Sequence, residues 1–141
     1  MDIEFSLEEN NAELVKKASD EAIQKALEVI GSKIADYATM ACPADTGLLR
    51  NSITYALWGQ PPDKTEYEAT YPDKSGEKRT GVYEGTAPDE LNTVFVGSNV
   101  EYAAYVEAGT SKRAATPYLE PAFVDHKQEY QDITMEYLQK D

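Results

Sequence analysis

The residues best placed to do chemistry stand together at Asp45-Thr46-Gly47, inside "ACPADTGLLRNSI", Ala41–Ile53. Asp-Thr-Gly is the tripeptide with which aspartic proteases activate a water, and small enzymes of that kind complete their site by pairing two copies of one short chain. Such an Asp must lie on a loop between buried strands, so that two carboxylates share a proton across the dimer axis. Here a helical pattern and "CPA" precede Asp45. The one approximation to the supporting apolar-apolar-Gly segment, "TVFVG" at Thr93–Gly97, runs straight into a helix-start signal. A dimeric aspartic protease using Asp45 is therefore a remote alternative. Asp45 reads instead as the N-cap of a short helical turn, its carboxylate accepting from free backbone N–H groups two and three residues on.

Other constellations carry less. One cysteine, Cys42, and one histidine, His126, cannot make a zinc cluster. No acidic loop with a central Gly suggests calcium. Cys42 cannot form an internal disulfide; it fits a reducing compartment and a packing role at a helix end. His126, between Asp125 and Lys127 on a polar helix, reads as a solvated surface residue. No Gly-rich phosphate loop or dinucleotide fingerprint occurs. The residues thus predict a protein that is not an enzyme, with no catalytic, cofactor-binding or metal-ligating residues and no cofactor.

Charge narrows the partners. Against 13 Lys and Arg stand 26 Asp and Glu, a net charge of −13 over 141 residues. So acidic a chain is not built for broad contact with nucleic-acid phosphates, and an anionic membrane surface would repel it. The start, "MDIEFSLEEN", lacks the apolar core of a signal peptide. No apolar run approaches the ~20 residues that span a bilayer. The length suits one domain, 1–141.

The elements that must position these residues follow from periodicity. Ser6-x-x-Glu9 has the form of a capping box. Apolar residues at Leu14, Val15, Ala18, Ala22, Ile23, Ala26, Leu27, Ile30, Ile34, Tyr37, Ala38 and Ala41 then predict one long helix, ended by Pro43. At 1.5 Å per residue it is a rod of roughly 50 Å, weakened in its middle by Gly31. Alternation predicts a strand over about Ser52–Trp58. Residues 59–92 form a polar excursion rich in Pro, Gly, charge and Tyr. Alternation at Tyr67-Ala69-Tyr71 and Thr80-Val82 around "PDKSGE" predicts a projecting hairpin or mobile arm. Tyr67, Tyr71, Tyr83 and, further on, Tyr102 are candidate partner contacts. After strand Thr93–Gly97, Ser98-x-x-Glu101 is a second capping box, opening a helix to about Ala108, with Gly109 at its left-handed stop. Lys112 and Arg113 lie on the next loop, and Thr116-Pro117 opens a final helix, regular after Pro121. The fold class is α+β: long N-terminal and C-terminal helices packed on a small antiparallel sheet, with a projecting hairpin or loop excursion.

Three segments in order, "PADTGLLRNSI" (Pro43–Ile53), "VFVGSNVEYAAYVEAGT" (Val94–Thr110) and "ATPYLEPAF" (Ala115–Phe123), resemble one family. It is the head–tail joining or tail-completion family of tailed bacteriophages and prophages, also described as minor tail components. The likeness covers most of the chain; the long 59–92 excursion and Tyr118 in place of the usual Phe depart from it. The resemblance implies a structural virion protein of the head–tail neck that forms an oligomeric ring. It would have no catalysis or cofactor, and its partners would be itself and neighbouring phage head-completion and tail proteins, with no specific nucleic-acid binding and no membrane. Its place would be the virion, and the host cytoplasm during assembly. Asp45, Gly47, Gly97, Ser98, Glu101 and Gly109 then serve as fold-keeping motif residues, while Tyr67, Tyr71, Lys112 and Arg113 are candidate partner contacts. The alternative from another class is an acidic adaptor or inhibitor module that binds a host protein.

Overall fold

In chain order the elements are β1 (Asp2–Ser6), α1 (Glu8–Lys17), α2 (Asp20–Ala41), α3 (Gly47–Ser52), β2 (Thr54–Leu57), β3 (Lys64–Thr70), β4 (Lys78–Glu84), β5 (Thr93–Gly97), α4 (Ala103–Ala108), α5 (Leu119–Val124) and α6 (Lys127–Leu138). The computed structural model describes residues 1–43, 47–60, 64–70, 78–84, 86–100, 103–112 and 114–139. The fold is α+β, as predicted. Strands β1, β5 and β2 make a three-stranded antiparallel sheet in the order β1-β5-β2, and β3 and β4 pair as a separate antiparallel hairpin.

The most apolar strand, "TVFVG", takes the centre of the sheet, where pairing on both edges satisfies its backbone. Val94 and Val96 are fully buried. They stand opposite Phe5 and Ile3 on one side and Leu57 and Tyr55 on the other, so one face of the sheet is a continuous apolar layer. Helix α2 lies across that layer with Ile23, Ala26, Leu27, Ile30, Ile34 and Ala38 buried. Gly31 explains itself here. A Cβ at this position would stand 2.9 Å from Val94 Cγ2 and 3.1 Å from the Tyr55 ring, so the missing side chain lets the helix settle closely on β5 and β2. Helices α5 and α6 pack against α2 and against Phe5 of β1, with Tyr118, Leu119, Ala122, Tyr130, Ile133 and Leu138 buried.

Four boundaries differ from the sequence-based expectation. The single long helix is two, because Ala18 and Ser19 are extended, with ψ of 152° and 156°. Ser19 caps α2 by accepting from Ala22 N at 3.2 Å. Lys16 and Lys17 close α1 and Asp20 and Glu21 open α2, each charge matched to its helix end. The apolar stripe conceals this break because it runs on in register through it. The first capping box does not form. Ser6 belongs to β1, a strand the periodicity did not reveal, and Leu7 at the N-cap makes no side-chain cap. The last helix is likewise two, α5 and α6, with Asp125 and His126 between them. The strand expected over Ser52–Trp58 is shorter, because Ser52 still belongs to α3.

The predicted hairpin is present, with Tyr67 opposite Gly81 and Ala69 opposite Arg79. Its turn, residues 71–77, lies outside the described residues, as does any mobility of the arm. Among the described residues no helix is long and apolar enough to cross a membrane.

Candidate functional site

The three quoted motifs converge, and what joins them is hydrogen bonding among their own atoms. Helix α4 presents Ala103, Val106 and Glu107 inward, all buried. A buried carboxylate must be compensated, and the start of α5 supplies the donors. Glu107 Oε1 accepts from Tyr118 N at 3.0 Å and Leu119 N at 2.8 Å, and Oε2 from Glu120 N at 3.2 Å. These are the free N–H groups of a helix N-terminus, where the helix dipole also favours negative charge. Tyr118, the N-cap, makes no side-chain cap of its own, so an acid from another helix performs that task. Around this clasp, Thr116 N donates to Val106 O at 2.9 Å and Tyr118 Oη to Ala103 O at 3.2 Å. Gly109 ends α4 with φ of 78°, its N–H reaching Tyr105 O at 2.9 Å, the left-handed stop expected of it.

A second junction ties the first motif to the middle one. Ser52 Oγ donates to Leu49 O at 2.7 Å and lies 2.6 Å from Ser98 Oγ, both residues fully buried. Ser98 Oγ also accepts from Val100 N at 3.1 Å. The hydroxyl expected to cap a helix thus closes a local turn two residues on, and α4 is described only from Ala103. Gly97 faces Met1 and Asp2 across the β1–β5 pair. A Cβ there would collide with Met1 O and sit 2.7 Å from Asp2 Cα. Arg50 Nε donates to Thr39 O at 3.1 Å, bringing positive charge to the end of α2, whose last turn has no basic residue.

Of the sequence-predicted site residues, Gly97, Ser98 and Gly109 are thus brought into the clasped region, and Gly47 opens α3. Asp45, Glu101, Tyr71, Tyr102 and Arg113 lie outside the described residues, as do the side chains of Tyr67 and Tyr83. Flanking Asp45, α2 ends at Ala41 and α3 begins at Gly47, so helices stand on both sides of the tripeptide. Lys112 is exposed, with its N–H on Thr110 Oγ1 at 3.2 Å. Glu107, Arg50 and Tyr118 were missed by sequence reasoning. The available signal for Glu107 was its helical spacing from Ala103 and Val106, which puts an acid on the buried face.

His126 is not the solvated residue the sequence predicted. It is half-buried, its ring stacked on Tyr37 with centroids 3.6 Å apart and planes 1° from parallel. Its Nδ1 is 3.7 Å from Glu129 Oε2. Glu129 also accepts from Tyr37 Oη at 2.6 Å and pairs with Lys33 Nζ at 3.1 Å, joining α6 to α2. The Tyr37 hydrogen bond is the main cause holding the Glu129 carboxyl below its ordinary range, and Lys33 adds to it. The same contacts raise Tyr37 and Lys33. On the outer face of the sheet, Glu4 is raised, first by desolvation and then by its neighbour Glu90. Beside β1 runs a groove of about 400 Å³ floored by Phe5, Phe123 and Tyr130, ring centroids 6.0–6.4 Å apart, with Lys127 Nζ 5.4 Å from the Phe123 ring. Among the described residues no group of three or more His, Cys, Asp or Glu is placed to hold a metal ion.

A family model described as "Bacteriophage HK97-gp10, putative tail-component" matches residues 6–109. No curated protein and no solved structure matches the chain significantly.

Proposed function

This chain belongs to the HK97-gp10-like family of bacteriophage tail components, and from that premise we propose that it is a ring-forming protein of the head–tail neck that completes or joins the tail. The observation that carries the reading is the family match itself, which runs from the last residue of β1 to just past the end of α4, residues 6–109. A tail component is part of the virion and contacts other phage structural proteins. The finer reading is that its copies close into a ring, assembled in the host cytoplasm before it joins the particle.

The way the motif residues are used supports a protein that acts through its surfaces and not through catalysis. Glu107, Ser52, Ser98 and Arg50 commit their polar atoms to backbone and to one another. The loop with exposed Lys112 and the outer faces of the helices are the surfaces offered to partners.

Charge suggests how the ring meets DNA. With a net charge of −13, an acidic channel repels phosphates and lets the genome pass without sticking. Like charges also oppose the bare ring. The Debye length is ~30 Å at 0.01 M salt and ~10 Å at 0.1 M, so repulsion between subunits is felt further in dilute buffer. The test is immunogold labelling of particles together with a duplex-DNA binding titration. Label at the head–tail junction and no measurable DNA affinity are expected. Label confined to the tail shaft, or tight salt-sensitive DNA binding, contradicts the reading.

A further inference from the structure

We propose that β1 and α1 are an exchangeable arm: in the assembled protein the arm of one copy swings out about Ala18–Ser19 and its β1 pairs with β5 of a second copy. This deepens the ring reading and rests on it. The starting observation is a disagreement between pattern and structure at one place. Val15, Ala18, Ala22, Ala26 and Ile30 continue a single helical stripe, yet the helix is interrupted at Ala18 and Ser19. Nothing in the residue types forbids helix there, since neither Gly nor Pro occurs between Glu8 and Ile30. In a continuous helix Lys16 and Lys17 would lie four residues before Asp20 and Glu21, at the spacing of ion pairs. The same four charges serve the broken form as helix-end charges. Ser19 is the device that favours the break, through its cap on Ala22 N. The sequence therefore supports both a bent and a straight α1–α2, and the contacts that separate the two sit on a few residues.

Straightening has a definite geometric consequence. The stretch from Glu8 to Ser19 would project roughly 18 Å past the start of α2 at 1.5 Å per residue. β1 would then be carried out of reach of its own β5. It would leave behind an open backbone edge on the most apolar strand, with Val94 and Val96 still under α2 but stripped of their β1 neighbours, and would itself display Ile3, Phe5 and Leu7. A second copy presents the matching vacancy. The register Ile3↔Val96, Glu4↔Phe95, Phe5↔Val94 can be re-made between chains with the same backbone hydrogen bonds and the same buried side chains. The exchange needs no new surface, which is why swapping an identical element links protomers at little cost. The arm is also suited to leave. α1 is short, is already kinked at Asn11 with φ of −136°, and buries few side chains, chiefly Leu7, Asn11 and Val15.

The experiment places cysteines at Glu4 and Phe95, which face each other across β1 and β5, in a Cys42→Ala background, and treats the protein with a short bis-maleimide crosslinker. Single-cysteine variants are the controls, and light scattering runs in parallel. At a salt and concentration where the protein assembles, exchange predicts crosslinks between chains. Asp20→Pro tests the hinge. Asp20 is the first residue of α2 and follows an extended Ser19, so proline suits the bent form and forbids the straight one. It is expected to leave the circular dichroism and thermal midpoint of the monomer unchanged and to reduce interchain crosslinks to the level of the controls. Ser19→Ala, which removes the cap, is expected to increase them. Assembled protein whose crosslinks all lie within single chains overturns the exchange and leaves the ring standing. Interchain crosslinks undiminished in Asp20→Pro overturn the hinge. Protein that stays at the monomer mass throughout overturns the exchange and the ring together.

Discussion

Replacing Glu107 with alanine removes the only side-chain acceptor on the first N–H groups of α5 among the described residues. The wild-type carboxylate receives three backbone bonds, at 2.8, 3.0 and 3.2 Å, and is only 8% exposed. A buried donor left without a partner costs about 1–3 kcal/mol. Two of the three donors, Tyr118 N and Leu119 N, are buried, whereas Glu120 N is part-buried and can turn to water. Two buried donors give a range of roughly 2–6 kcal/mol. Water entering the space left by the side chain moves the result towards the lower half, about 3 kcal/mol. For a chain of this size, that shift lowers the thermal midpoint by roughly 10 °C. Glu107→Gln keeps one oxygen where Oε1 accepts two of the three bonds, so it should lose only about 1 kcal/mol. The assay is urea unfolding followed by far-UV circular dichroism, with the slope checked for constancy so that midpoints report stability. A loss under about 1 kcal/mol for Glu107→Ala, or equal losses for Ala and Gln, would refute the clasp, because both variants remove the charge and only Gln retains an acceptor.

Three further outcomes rest on particular contacts in the structure. Gly97→Ala should displace β1 from β5, because its Cβ would collide with Met1 O; accelerated amide exchange confined to residues 2–6 checks it, and unchanged protection there contradicts it. Ser52→Ala and Ser98→Ala, each costing about 1–3 kcal/mol as one buried hydroxyl loses its partner, should be non-additive in a double-mutant cycle by about 0.5–3 kcal/mol; strict additivity would show that the 2.6 Å pair is not coupled. Tyr37→Phe should remove the main cause of the lowered Glu129 pKa. A depressed folded-state pKa gives stability that is fully present above the ordinary carboxylate value, 4.5, and is lost as pH falls through the lowered one. The urea midpoints of wild type and variant should therefore differ at pH 7 and converge towards pH 3, and a gap that is the same at both pH values rejects this assignment.

Much of this fold was legible because its strongest signals are local. The stripe from Ile23 to Ala38, the apolar run of β5 between turn residues, the alternation of β3 and β4, and Gly109 after α4 each determine their own element with little outside help. β1 was not legible. Its five residues look like the approach to a capped helix, and what makes them a strand is β5, some ninety positions later in the chain. The break at Ala18–Ser19 was hidden because the stripe continues through it. The clasp was the hardest part to read. Glu107 is one of 26 acidic residues, and only the arrival of α5 against α4 gives its carboxylate three donors. His126 was misread for the same reason, since its partner Tyr37 lies on another helix. For β1, the clasp and His126 the missing information was tertiary, carried by partners far away in the chain.

The ring itself is tested most directly by the mass of the protein in solution, measured by sedimentation velocity over a series of salt concentrations. One chain weighs 15.6 kDa. A closed ring predicts a single heavier species at a fixed multiple of that mass, gaining population as salt screens the like charges, and with no ladder of larger forms. A protein that remains at 15.6 kDa at high concentration and high salt, and in the presence of neighbouring tail proteins, would contradict it.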